Sequence, residues 1–322
     1  MKNNCRFLHA IYISCFCLFS FSSNAASKDT LHAASLYPYG RYVQNPNGNL
    51  ELISSAVHFG FRFTGTSCRL FAFLFDSSAH NYLQYTIDGI YYRRIRVSGN
   101  KPQLYNIACV GKGEHTVWIY KATEATTGPI FIEKIIAHEI KPLKEPDHAL
   151  IEFIGNSITC GAQADPSEFP CETGAYHDQH NAYYAYGPRI ARKLDANFIL
   201  SSVSGIGIYR TWNANGPSMP QVYDKTDFLV NSTRCWDFKT YSPRVVSIAL
   251  GTNDFSDGDG KTPRQPFDSS VFVNNYILFI ELVKSKYPGT QIALLNSPMI
   301  NGNKRILLQN CLTAVKAQID KK

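Results

Sequence analysis

The chain has 322 residues, 44% of them hydrophobic and 18% charged, with a formal net charge of +7. A normal apolar share with so little charge excludes an intrinsically disordered chain. At about 100–200 residues per domain two domains are expected, and the mild, dispersed positive charge argues against a nucleic-acid partner.

Residues 1–26, "MKNNCRFLHAIYISCFCLFSFSSNAA", read as a signal peptide. Lys2 and Arg6 form a basic head, Ile11 to Phe21 an apolar stretch short for a bilayer span, and Ser23, Ala25 and Ala26 a small-residue cleavage region. An uncleaved anchor is the other reading of this stretch. No later segment is apolar enough to cross a membrane. The expectation is therefore a secreted or periplasmic protein, free of the membrane after cleavage, with Lys2 and Arg6 removed and the charge reduced to +5. Cleavage would leave Cys68, Cys109, Cys160, Cys171, Cys235 and Cys311, an even set that permits disulfides in an exported chain. Cys68–Cys109 and Cys160–Cys171 are the pairs expected.

Residues 27–145 read as a β-sandwich domain of the jelly-roll kind. The segments 56–63, 68–75, 82–88, 91–97, 103–110 and 115–122 are rich in aromatic and β-branched residues, and turn signals such as "DSSAHN", "DG" and "SGNKP" separate them. In "YYRRIRV" Arg94 and Arg96 share one face and Arg93 takes the other, as on a solvated strand. The polar stretch 138–149, with two prolines, reads as the connection between domains.

Residues 146–322 change pattern. Apolar strands at 149–157, 197–205, 243–254 and 291–298 alternate with helices at 181–196, 269–288 and 303–322. Such alternation predicts a flavodoxin-like three-layer α/β/α domain, whose functional groups gather beyond the carboxyl ends of the parallel strands. Three strand ends carry small polar residues: Ser157, Gly205, and the run Gly251–Thr252–Asn253–Asp254. A serine hydroxyl needs a base to become a nucleophile, and its tetrahedral intermediate needs fixed donors for the oxyanion. Ser157 offers the hydroxyl and its own N–H, Gly205 a bare backbone N–H, and Asn253 a carboxamide. Thr159 stands where the second glycine of the α/β-hydrolase elbow belongs, so that motif is not the one present.

"GNSITCG", "SGIGIYRTWN" and "IALGTNDFS" resemble the first three blocks of the SGNH (GDSL-type) hydrolases. The preceding β-rich half, with "YGRYVQN" near its start, resembles the two-domain acetyl-xylan esterases of carbohydrate esterase family two. The resemblance implies Ser157 as nucleophile, with Ser157, Gly205 and Asn253 forming the oxyanion hole. It also implies hydrolysis of acetyl esters on plant-type polysaccharides, through an acyl-enzyme, with no metal and no cofactor. Asn156 replaces an aspartate common in the first block. By the same resemblance a histidine in a final block would act as base, after a fifth strand. No histidine follows His180, so the expectation is a domain lacking its last strand, in a truncated and impaired esterase.

His177 and His180 lie in the loop after the first strand and offer an alternative base, or a metal site with Cys171 and Glu172; hydrogen bonding within the loop is the plainer role for both. In the long segment 204–225, Trp212, Tyr209 and Tyr223 are candidates to stack on sugar rings and Arg210 to bond hydroxyls, against simple packing under the loop. Asp254 is expected to steady the Asn253 turn. A non-catalytic carbohydrate-binding protein is the competing reading of the whole chain.

Overall fold

Large apolar side chains at every second position build the first half. In β4 (His58–Phe73), Phe59, Phe61 and Phe63 are fully buried, as the two-residue period of a strand requires. A computed structural model, which describes residues 28–321, places this strand in a nine-stranded antiparallel sheet; the signal-like segment lies outside the described residues. The other strands are β1 (Asp29–His32), β2 (Tyr42–Gln44), β3 (Leu50–Leu52), β5 (His80–Ile87), β6 (Ile90–Ser98), β7 (Gln103–Ala108), β8 (Glu114–Lys121) and β9 (Ile130–Leu143). They run in the order β2-β3-β9-β4-β8-β5-β6, with β1 on β9 and β7 on β4.

Two expectations need correction. The break foreseen between residues 63 and 68 is absent: β4 continues through Gly65 with register shifts against β9, pairing first with β8 and then with β7. Bulges absorb the residues that looked like a turn. Likewise β9 reaches Leu143, so the connection shrinks to 144–149. Pro142 is tolerated there because β1 flanks β9 only over Lys134–Ala137.

The second half comprises β10 (Leu150–Gly155), α1 (Ser157–Cys160), α2 (Tyr186–Lys193), β11 (Asn197–Ser202), α3 (Met219–Val222), β12 (Val245–Ala249), α4 (Ser269–Lys286), β13 (Gln291–Leu294) and α5 (Gly302–Ile319). Its parallel sheet has the order β11-β10-β12-β13. Ile154, Val246 and Ile248 face α4 and α5, against Phe272, Tyr276 and Leu308. Phe153, Phe198 and Leu200 face the other way, onto Ala191 of α2 and onto Ala56 and Tyr120 of the first half. The architecture is thus an antiparallel β domain followed by a parallel-sheet α/β domain.

The first half grips the second along β11. The His58 ring lies 5.1 Å from that of Phe198, Arg41 Nη2 donates to Ser201 Oγ at 3.2 Å, and Glu124 accepts from Ser204 N at 2.7 Å. Arg41 is almost wholly buried, donating to the carbonyls of Tyr223 and Lys225 at 2.8 and 2.6 Å, with Phe228 under its guanidinium.

All six described cysteines are free thiols, so neither expected disulfide is present. The β4–β7 register sets Cys68 opposite Ile107, two residues from Cys109. Cys160 points inward to Glu124 and Ser202, while Cys171 is exposed.

Candidate active site

Ser157 opens α1 directly after the central strand. Asn156 caps that turn, its Oδ1 accepting from Ile158 N at 3.2 Å. The flanking glycines serve close packing. A Cβ on Gly155 would lie 2.0 Å from Thr159 Oγ1, and one on Gly161, whose φ is +75°, would meet the Asn181 carbonyl oxygen at 2.5 Å.

Sheet register brings the three strand ends together. Gly155 stands opposite Ser202 of β11 on one side and Ala249 of β12 on the other, and the chain then runs a few residues to Ser157, Gly205 and Asn253. Gly205 has φ +76°, and a Cβ there would sit 2.7 Å from Trp212 Cδ1. Trp212 N donates back to Gly205 O at 2.9 Å, so the indole closes over this turn while remaining 45% exposed. Asn253 Nδ2 donates to Ile206 O at 2.7 Å, tying the third end to the second. Asp254 is fully buried and accepts from Ile208 N and Tyr209 N at 2.9–3.0 Å. It therefore braces the loop that carries Gly205. Burial pushes its carboxyl up to about 6, against the pull of the Tyr209 and Ile208 amides.

A residue of the β domain completes the arrangement. Glu124, 1% exposed, accepts the Ser204 N–H beside Gly205 and receives Cys160 Sγ–H at 3.5 Å. Its Oε1 lies 3.6 Å from Nε2 of the fully buried His180. Burial works to raise this carboxyl, but His180 and the Ser204 amide and hydroxyl outweigh it and hold Glu124 below the usual carboxylate range. Behind it Lys121 is fully buried, its amine donating to the Glu124 carbonyl and depressed by burial to about 7. Tyr176 closes the near side: its hydroxyl reaches Ser204 Oγ at 3.3 Å and interacts with Ser157, and its ring stands edge-on to His180 at 4.7 Å. Burial keeps this hydroxyl protonated. Nothing in the sequence around Glu124, "YKATEATTG", marks it as part of a site; only the docking of the two halves brings it there.

Other candidates have different roles. Arg210 is 4% exposed and spends its guanidinium on the carbonyls of Asp254 and Gln265, so it is a brace rather than a sugar ligand. Tyr209 packs against Phe267 and Phe272, and Tyr223 is buried with its hydroxyl on Glu152. Neither histidine proposed as base is bonded to Ser157. His177 Nε2 is engaged by the His80 carbonyl at 3.0 Å, and His180 is sealed beneath Tyr176. An apolar cavity of about 240 Å³ is lined by Ile158, the residue after Ser157, and by Tyr186, Thr252, Leu295 and Pro298 among others.

A serine at a helix start, next to a bare backbone N–H and a carboxamide at adjacent parallel strand ends, is the equipment of an acyl-transfer hydrolase. Residues 153–319 match the family profile described as "GDSL-like Lipase/Acylhydrolase family", and residues 39–146 match "Carbohydrate esterase 2 N-terminal". The chain is 31% identical over 295 residues to an acetylxylan esterase / glucomannan deacetylase of Cellvibrio japonicus, covering 87% of this chain and 79% of that one. It is 30% identical over 290 residues to the cellulase/esterase CelE of Acetivibrio thermocellus, 86% of this chain but 33% of that longer protein. Among solved structures, a family two carbohydrate esterase from Cellvibrio japonicus superposes with a TM-score of 0.79 at 23% identity, over 91% of this chain and 86% of that one. Another from Clostridium thermocellum, solved in complex with cellohexaose, gives 0.76 at 27% identity, over 91% and 85%. The chain belongs to the GDSL-like acylhydrolases and, within them, to carbohydrate esterase family two. It is an esterase by that membership.

Proposed function

We propose that this esterase removes O-acetyl groups from plant-type polysaccharides by acyl transfer to Ser157, after export to the cell exterior or periplasm. Ser157 Oγ attacks the acetyl carbonyl while the N–H groups of Ser157 and Gly205 and the Asn253 carboxamide hold the oxyanion. The sugar hydroxyl leaves, and water then releases acetate from Ser157. Trp212, half-exposed over Gly205, offers a face to a sugar ring. The observation that carries this reading is the convergence of Ser157, Gly205 and Asn253 at neighbouring strand ends.

No histidine follows His180, and among the described residues no imidazole bonds Ser157. Oxyanion stabilisation and binding by the residues described are worth about 10³-fold over water. Acetate release from acetylated xylan and from 4-nitrophenyl acetate tests this. Acetate release that Ser157→Ala abolishes is expected; a rate indifferent to Ser157→Ala rejects the nucleophile. A second reading, glycan binding without turnover, gains support from the relative solved with cellohexaose. Retention of unacetylated cellohexaose with no Ser157-dependent acetate release would favour it.

A further inference from the structure

The seam between the two halves contains a cluster that the acyl-transfer site does not use. His80, first residue of β5, meets the 3₁₀ turn Tyr176–Gln179. His80 Nε2 lies 2.5 Å from Asp178 Oδ1, and the His80 and His177 rings are 4.5 Å apart with a tilt of 32°. One ligand atom from each of His80, His177 and Asp178 falls within 4.8 Å of the others. We propose that these three residues bind a divalent transition-metal ion of the zinc type, stitching the turn to β5.

Two imidazoles and a carboxylate are a sound donor set for such an ion. Zinc at about 2.0–2.2 Å from each donor sets the donors about 3.3 Å apart, a spacing that small side-chain rotations reach from the present one. The ion takes the place of the proton shared by His80 and Asp178. His177 donates its Nε2–H to the His80 carbonyl at 3.0 Å, which leaves the Nδ1 lone pair available and fixes the ring, the outer hydrogen bond that orients a metal-binding histidine. Asp178 is oriented in the same way by Tyr82 Oη–H on Oδ1 at 2.8 Å and Ala175 N–H on Oδ2 at 2.7 Å. His80 and His177 are partly exposed, so an ion has a way in and water can complete the coordination. The residues grouped differ from the sequence-based set: His177 is joined by His80 and Asp178, not by Cys171 and Glu172. Because Tyr176 adjoins His177, a bound ion would also hold the Tyr176 hydroxyl over Ser157 and Ser204.

Calorimetric titration of the chelator-stripped full chain with zinc chloride tests the site independently of esterase activity. One ion per chain with low-micromolar or tighter affinity is expected. His177→Ala should weaken binding by at least ~10-fold, and Cys171→Ser should leave it unchanged. X-ray absorption on the loaded native protein, which requires no variant, should find two imidazole nitrogens around zinc. No saturable one-to-one binding, binding that survives His177→Ala in a folded variant, or a sulfur-ligated ion overturns the proposal.

Discussion

Asp254 shows how a single buried group is used for architecture rather than chemistry. Its carboxyl is sealed from water, ties down the amides of Ile208 and Tyr209, and sits so close to Gly207 that a Cβ there would be 2.3 Å from Oδ2. Burial raises its folded-state value to about 6 from an ordinary 3.8. An acid held more protonated in the folded state contributes stability that is fully present below about pH 4. That contribution is lost as pH rises through about 6. At about 1.4 kcal/mol per unit the change amounts to about 3 kcal/mol. Urea denaturation at a series of pH values should show this slope in the native protein and a flatter one in Asp254→Asn, which keeps one acceptor oxygen and no titration. Arg210 was open to misreading for a related reason: an arginine in a cleft-forming loop resembles a ligand until its partners are seen to be main-chain carbonyls.

At the scale of the element, the connection after β8 matters most. It leaves β8 at Lys121, turns at Glu124 and sets a carboxylate under Ser204, the second residue past β11. Glu124 touches neither the scissile bond nor the sugar in the proposed reaction; it is a positioning residue for the Ser204–Gly205 turn. In Glu124→Ala the Gly205 N–H loses its fixed direction. Acetate release should fall about 10- to 100-fold in kcat, with KM within about twofold, and the split between the two constants separates this from a loss of substrate binding. The strands and their tips were legible because buried parallel strands are written as short apolar runs, and "FIGNS" and "ALGTND" end such runs with small polar residues. Glu124 was not, since its role exists only once the connection after β8 docks on the turn after β11. The length of β4 was hidden for another reason: "TGTS" has the composition of a turn, and only pairing with β7, β8 and β9 makes it a bulged strand.

For the molecule as a whole, Arg41 is the tie between halves. Its guanidinium reaches across to Ser201, Tyr223 and Lys225 and offsets the buried Glu152, whose carboxyl burial raises despite that partner. Removing Arg41 leaves the buried Glu152 without its nearby positive charge and the carbonyls of Tyr223 and Lys225 without their donor. Arg41→Ala should therefore cost about 3–5 kcal/mol in urea unfolding, and part of that loss should return in the double variant with Glu152→Gln. The "YGRYVQN" stretch was conspicuous in the sequence as part of a resemblance; its physical reason is that the β domain must insert a cation beneath the catalytic sheet.

The carboxylate beneath the Ser204 amide bears on how such proteins diversify. An accessory module joined by a linker can be exchanged for another without touching the chemistry next door. Here a chimaera spliced within residues 144–149, with a foreign β domain, would arrive without the acid at position 124 and the cation at position 41. The two halves are therefore coupled, and substitutions in one are filtered by what the other can accommodate.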